Sequence, residues 1–172
     1  KTVQKSGSAY IFKKELGTWF QSAKLIPRPA DTTGNAFFGQ SVSIDQPYGR
    51  EDVTALVGAP GQAKVYVFVL DPLRSLWKQQ AILEVHDRIL DSEHRFGVSG
   101  AIALKDDLAF VGSATVESVY VFRRSFELTE NKFKWNPWTM LRSSDYDFDV
   151  YDQGYTVHHM HRQDFGISLS AS

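Results

Sequence analysis

Val-Tyr-Val-Phe stands at residues 65–68 and again at 119–122. Each copy follows a glycine at the same distance: Gly58 in Leu56-Val57-Gly58-Ala59-Pro60 and Gly112 in Phe110-Val111-Gly112-Ser113-Ala114. Ser8-Ala9-Tyr10-Ile11-Phe12 is a third version of the same segment. Upstream, FGQSVSI opens at Phe38-Gly39, FGVSGAI at Phe96-Gly97 and FGISLSA at Phe165-Gly166. Downstream, a tryptophan precedes a leucine by one constant interval, in Trp19 and Leu25, Trp77 and Leu83, and Trp135 and Leu141. Recurrence at about 60 residues marks a chain built from one repeated supersecondary unit.

The segments read as short strands. Apolar and polar residues alternate in FGQSVSI, and β-branched and aromatic residues crowd VYVF, with Gly, Pro or Asp clusters between them. Four strands per unit result, and Lys105-Asp106-Asp107 is a turn short enough for an antiparallel hairpin. Radially repeated four-stranded meanders are the blades of a β-propeller, so the expected fold is all-β. Gly39, Gly97 and Gly166 are expected to allow close packing near a central axis, and the repeated tryptophans to fill the space between blades.

The chain has 172 residues, with 19 basic and 20 acidic side chains and a formal charge of -1. A domain that binds nucleic acid phosphates or an anionic membrane shows a basic excess, so neither is the expected partner. An apolar fraction of 42% suffices for a core. The longest apolar run, Val65 to Leu70, is too short to span a bilayer. There is no cysteine, which excludes disulfides and thiolate metal sites from this stretch.

Phe-Gly at the start of a strand, with Val-Gly-Ala-Pro some way on, resembles the FG-GAP repeat of integrin α subunits and integrin-like extracellular proteins. The resemblance implies a seven-bladed propeller whose Phe-Gly strand is innermost and whose Trp strand is outermost. Residues 8–25 correspond to the end of one blade, 38–83 to a full blade, 96–141 to another with an inserted loop at 142–164, and 165–172 to the start of the next. Seven such units need roughly 400 residues, so residues 1–172 read as one propeller segment covering part of a ring. The ring is expected to be completed by the rest of a longer protein or by other chains.

The family implies calcium in the loop joining the first two strands, and Asp45 and Asp52 are the candidate ligands here. Pro47 and Gly49 stand where side-chain oxygens are needed, so a solvated hairpin is expected in preference to a calcium site. Insertions on a rigid scaffold commonly carry binding. In this one, Asp145, Asp147, Asp149 and Asp152 interleave with aromatics that include Tyr151 and Tyr155. Asp145, Asp147 and Asp149 share one side of an extended segment, where they suit a basic protein partner or a calcium ion. His158, His159 and His161 follow, and surface histidines are expected in preference to a zinc site. Trp138 lies outside the repeat register and is the candidate for stacking on a carbohydrate.

No nucleophile, zinc-protease or phosphate-loop motif occurs. The expectation is therefore a non-enzymatic protein-interaction, adhesion or assembly module. The resemblance places it outside the cell or on its surface. A carbohydrate-binding or enzymatic propeller is the alternative.

Overall fold

The computed structural model describes residues 7–31, 34–84, 101–113 and 118–142. Three antiparallel sheets contain the strands. The first pairs β1 (Ala9–Glu15) with β2 (Thr18–Leu25). The second runs β3 (Val42–Asp45), β4 (Thr54–Ala59), β5 (Lys64–Asp71) and β6 (Leu76–Leu83). The third runs β7 (Ile102–Lys105), β8 (Leu108–Ser113), β9 (Ser118–Glu127) and β10 (Lys132–Arg142). Strand order follows chain order in each, so every sheet is a meander closed by hairpins. In the two-residue turn between β1 and β2, Leu16 and Gly17 both take positive φ, 48° and 85°, the geometry that matches the right-handed strand twist.

The middle strands are buried on both faces, and their alternation sorts side chains to opposite neighbours. Ala55, Val57, Tyr66 and Phe68 pack toward the first sheet with Ala9, Leu25 and Phe38. Leu56, Val65 and Val67 point the other way, onto Ile102, Leu104, Ala109, Val111, Tyr120 and Phe122 of the third sheet. The same parity recurs one unit on, where Phe110, Val119 and Val121 turn away from the second sheet. Complete burial of a side chain such as Leu56 contributes about 1.5–3 kcal/mol, so stacking sheet on sheet supplies the stability that one meander lacks.

The repeated tryptophans follow this parity. Trp135 packs in the cluster facing the second sheet and Trp77 in the cluster facing the first. Trp19, their equivalent in the first sheet, is 63% exposed. Each outer strand also carries a bulge three residues after its tryptophan. Ser22, Gln80 and Trp138 are the residues skipped by the pairing registers. Gln80 uses its place to accept a hydrogen bond of 3.0 Å at Oε1 from Trp135 Nε1 of the next sheet. Ser22 holds the corresponding place before Trp77, and the Trp77 indole N–H is buried without a partner. Restoring the acceptor with Ser22→Gln is expected to stabilise the protein by about 1 kcal/mol in thermal unfolding. A gain that persists when Trp77 is also changed to Phe would show that the indole N–H is not its source.

The Phe-Gly strand begins later than its motif suggests. β3 starts at Val42, while Phe38 forms a parallel bridge to Gly7 and packs edge-on against Tyr66 and Phe68, with centroids 5.3 and 6.1 Å away. Gly39 N–H donates to Gly58 O (3.0 Å) and Gly58 N–H donates to Ser41 O (2.9 Å). Two residues beyond Gly39 are therefore already in the ladder. In the third sheet Gly112 N–H donates to Ala101 O, so Ala101 stands where Ser41 does. The segment between motif and ladder is two residues longer there, and aligning FGVSGAI directly on FGQSVSI misplaces the strand.

Candidate interaction site

The charged groups converge where the second and third sheets meet. Arg124 lies on β9 in the stripe of Tyr120 and Phe122, facing inward, and is 4% exposed. Its Nε donates to Asp107 Oδ1 (2.7 Å), Nη1 to Thr54 Oγ1 (3.3 Å), and Nη2 pairs with Asp52 Oδ2 (2.7 Å). The guanidinium also lies 5.0 Å from the Phe133 ring centroid and 5.9 Å from that of Trp135. Arg50, from the β3–β4 loop, bridges the same two carboxylates: its Nε and Nη2 donate to Asp52, its Nη1 to both oxygens of Asp107. Desolvation works against the Arg50 cation, but the carboxylates of Asp52 and Asp107 outweigh it and hold its pKa above the ordinary value.

This arrangement decides what Asp45 and Asp52 do. Asp45 Oδ2 accepts the Asp106 backbone N–H at 2.8 Å, fixing the β7–β8 turn, in which Asp106 takes φ 52°. Asp52 is occupied by two arginines. The two aspartates that the resemblance offered as candidate calcium ligands thus clamp one sheet to the next. The loop is not simply solvated either, because its Arg50 reaches the third sheet. Among the described residues no group of three or more Asp, Glu or His side chains is placed to hold a metal ion.

Asp145, Asp147, Asp149, Tyr151, Asp152 and Tyr155 lie outside the described residues, as do His158, His159 and His161. Trp138 is described: it is the bulged residue of β10, 37% exposed, with the Arg123 guanidinium 5.6 Å from its ring centroid. Sequence reasoning missed Arg50, Asp107 and Arg124. One signal was available, since Arg124 continues the alternation of Tyr120 and Phe122 and so had to point into a core where only a paired cation is tolerated.

At the other junction, the link after β2 crosses the second sheet. Arg28 N–H donates to Gln79 Oε1 (2.9 Å) and its Nη2 to Gln79 O (2.6 Å), while Gln79 Nε2 donates to Asp31 Oδ2 (2.8 Å). The Tyr66 hydroxyl sits between Asp31 O (2.9 Å) and Gln62 Oε1 (2.8 Å). Burial, then the negative charges of Asp31 and Glu84, push its pKa up to about 12.

Four-stranded antiparallel meanders stacked face to face, the second clamped to the third through Asp45, Asp52 and Arg124, are the blades of a β-propeller. Residues 19–68 match the family model described as FG-GAP repeat, so the chain carries an FG-GAP repeat within this fold. The matched stretch starts on β2 of one sheet and ends in β5 of the next, and thus spans a junction between blades. Comparison with curated proteins gives no match. Among the described residues no helix is long and apolar enough to cross a membrane.

Proposed function

We propose that this chain is a propeller segment that works by binding protein partners, without catalysis, in adhesion or assembly outside the cell or at its surface. The FG-GAP repeat at residues 19–68 carries this reading, since such repeats suggest a propeller-type interaction module. The acidic and aromatic segment with Asp145, Asp147, Asp149, Tyr151, Asp152 and Tyr155 supplies the binding chemistry, with carboxylates for a basic partner and tyrosines for contact area. Calcium binding by that segment belongs to the same proposal and is separable by titration. The test is deletion of residues 143–153 followed by capture from cell-surface and matrix extracts. Proteins retained by the intact chain should be lost by the deletion variant, and identical retention by both overturns the segment's role.

The carbohydrate reading has one observation in its favour, the partly exposed Trp138 ring. Arg123 already lies over that ring, which leaves less of it for a sugar. A glycan array is expected to give no hit that depends on Trp138. Clear hits abolished by Trp138→Ala would replace the protein-partner reading.

A further inference from the structure

The β3–β4 and β7–β8 connections hold the same place in two complete four-stranded sheets but differ in length. Residues 106–107 make the second, whereas residues 46–53 make the first. Conformational entropy opposes holding the longer loop in one shape, so it needs ties. A calcium ion supplies them by gathering about six to eight oxygens around a double positive charge. The oxygens of this loop are committed elsewhere. Asp45 Oδ2 accepts the Asp106 N–H (2.8 Å), and Pro47 O accepts the Arg50 N–H (3.1 Å). Asp52 Oδ1 lies 2.9 Å from Arg50 Nε, and its Oδ2 lies 2.8 Å from Arg50 Nη2 and 2.7 Å from Arg124 Nη2. Pro47 and Gly49 bring no side-chain oxygen. A divalent ion placed among these groups would stand beside two guanidinium cations and be repelled by both.

Arg50 provides the ties itself. Its Nη1 donates to both oxygens of Asp107 in the neighbouring sheet (3.0 and 2.9 Å), so one planar group binds all four oxygens of two carboxylates. Its carbonyl oxygen accepts from Gln46 Nε2 at 3.0 Å, which closes the loop back on its start. Arg124 takes the same two carboxylates from the buried side. Together the two guanidiniums carry the double charge that a calcium ion would bring.

We propose that the Arg50 guanidinium is the resident cation of the β3–β4 loop in place of calcium, so that the loop, and any partner contact made through it, keeps its form without divalent metal. The ion implied by the family resemblance and the residues present here disagree, because the carboxylate that would hold the ion is filled by side chains from this loop and from β9. A chelator withdraws a metal ion but not a covalently attached guanidinium. The proposal concerns this loop alone and is independent of any calcium bound by the acidic segment.

The experiment follows amide hydrogen exchange in the full chain at residues 46–54 and at Leu104 and Asp106, whose N–H groups donate across the junction to Ser43 Oγ and Asp45 Oδ2. Reading these positions, and not the overall Tm, keeps ion binding by residues 143–153 out of the measurement. The parent protein should exchange at the same rates in excess calcium and in excess chelator. Arg50→Ala should accelerate exchange at these positions by about tenfold or more, and added calcium should leave the acceleration in place. Arg50→Lys should recover at most part of the protection, since an ammonium lacks the planar fork. Slower exchange of the parent loop in calcium than in chelator overturns the proposal, as does recovery of Arg50→Ala by calcium. Parent-like exchange in Arg50→Ala would show that the guanidinium does not hold the loop, and full protection in Arg50→Lys that the fork is not what the site recognises. If Arg50→Ala fails to fold, the parent comparison and Arg50→Lys decide.

Discussion

Arg124→Met is expected to lower the unfolding free energy by about 3 kcal/mol, read as a fall in the urea midpoint. The guanidinium reaches Asp52, Asp107 and Thr54 from three directions, and its side chain is almost fully buried. Removing it leaves two carboxylates short of a partner at a junction between sheets. Both carboxylates remain partly exposed, and Arg50 still reaches each of them, which places the effect at the low end of the range for broken buried pairs. Arg124→Lys should recover only part of the loss, because an ammonium cannot span the three acceptors with a planar fork. In a double-mutant cycle with Asp107→Asn, the two losses should fall short of additivity. An Arg124→Met protein as stable as the parent would mean that the two apolar faces alone hold the sheets together.

Gly39→Ala is expected to cost about 2–3 kcal/mol or more. Two independent effects combine at this residue. Its φ of 91° lies where L side chains are strained, and an added Cβ would stand 2.6 Å from the Ser8 carbonyl oxygen, which is backbone and cannot rotate away. Gly49 is the matched control, with φ 75° and nothing within 4 Å of a Cβ. Gly49→Ala should therefore show the conformational penalty alone, about 1 kcal/mol. The difference between the two variants in thermal unfolding measures the contact between the first sheet and the Phe-Gly segment. Equal losses would show that Ser8 and its strand move aside without resistance.

These predictions locate the stability of the molecule at the junctions between sheets, which is also where the family repeat lies. The FG-GAP match begins on the last strand of one sheet and closes on the third strand of the next. Its glycine meets Ser8 across that boundary, and its phenylalanine bridges to Gly7 while packing on Tyr66 and Phe68 of its own sheet. A unit defined this way describes how one blade seats on another.

The sequence by itself determined that the chain is all-β, that its strands follow one another in four-stranded meanders, and that VYVF and the tryptophan segments recur in fixed places. These features depend on local periodicity and short turns, and both are written in adjacent residues. Tertiary structure alone decided the rest. The two-residue offset between Ser41 and Ala101 comes from ladder hydrogen bonds with Gly58 and Gly112, which no alignment of motifs contains. Asp45 and Asp52, calcium candidates only through the family resemblance, act as clamps because Asp106 and Arg124, distant in sequence, approach within hydrogen-bonding range. Trp138 holds the bulge position that Ser22 and Gln80 hold in the other outer strands, a property of strand pairing that the spacing of the repeated tryptophans does not reveal. The exposed Val42 and Ile44 are indistinguishable in sequence from the buried Ile102 and Leu104. Burial is set by which sheet lies opposite, and only the assembled stack determines that.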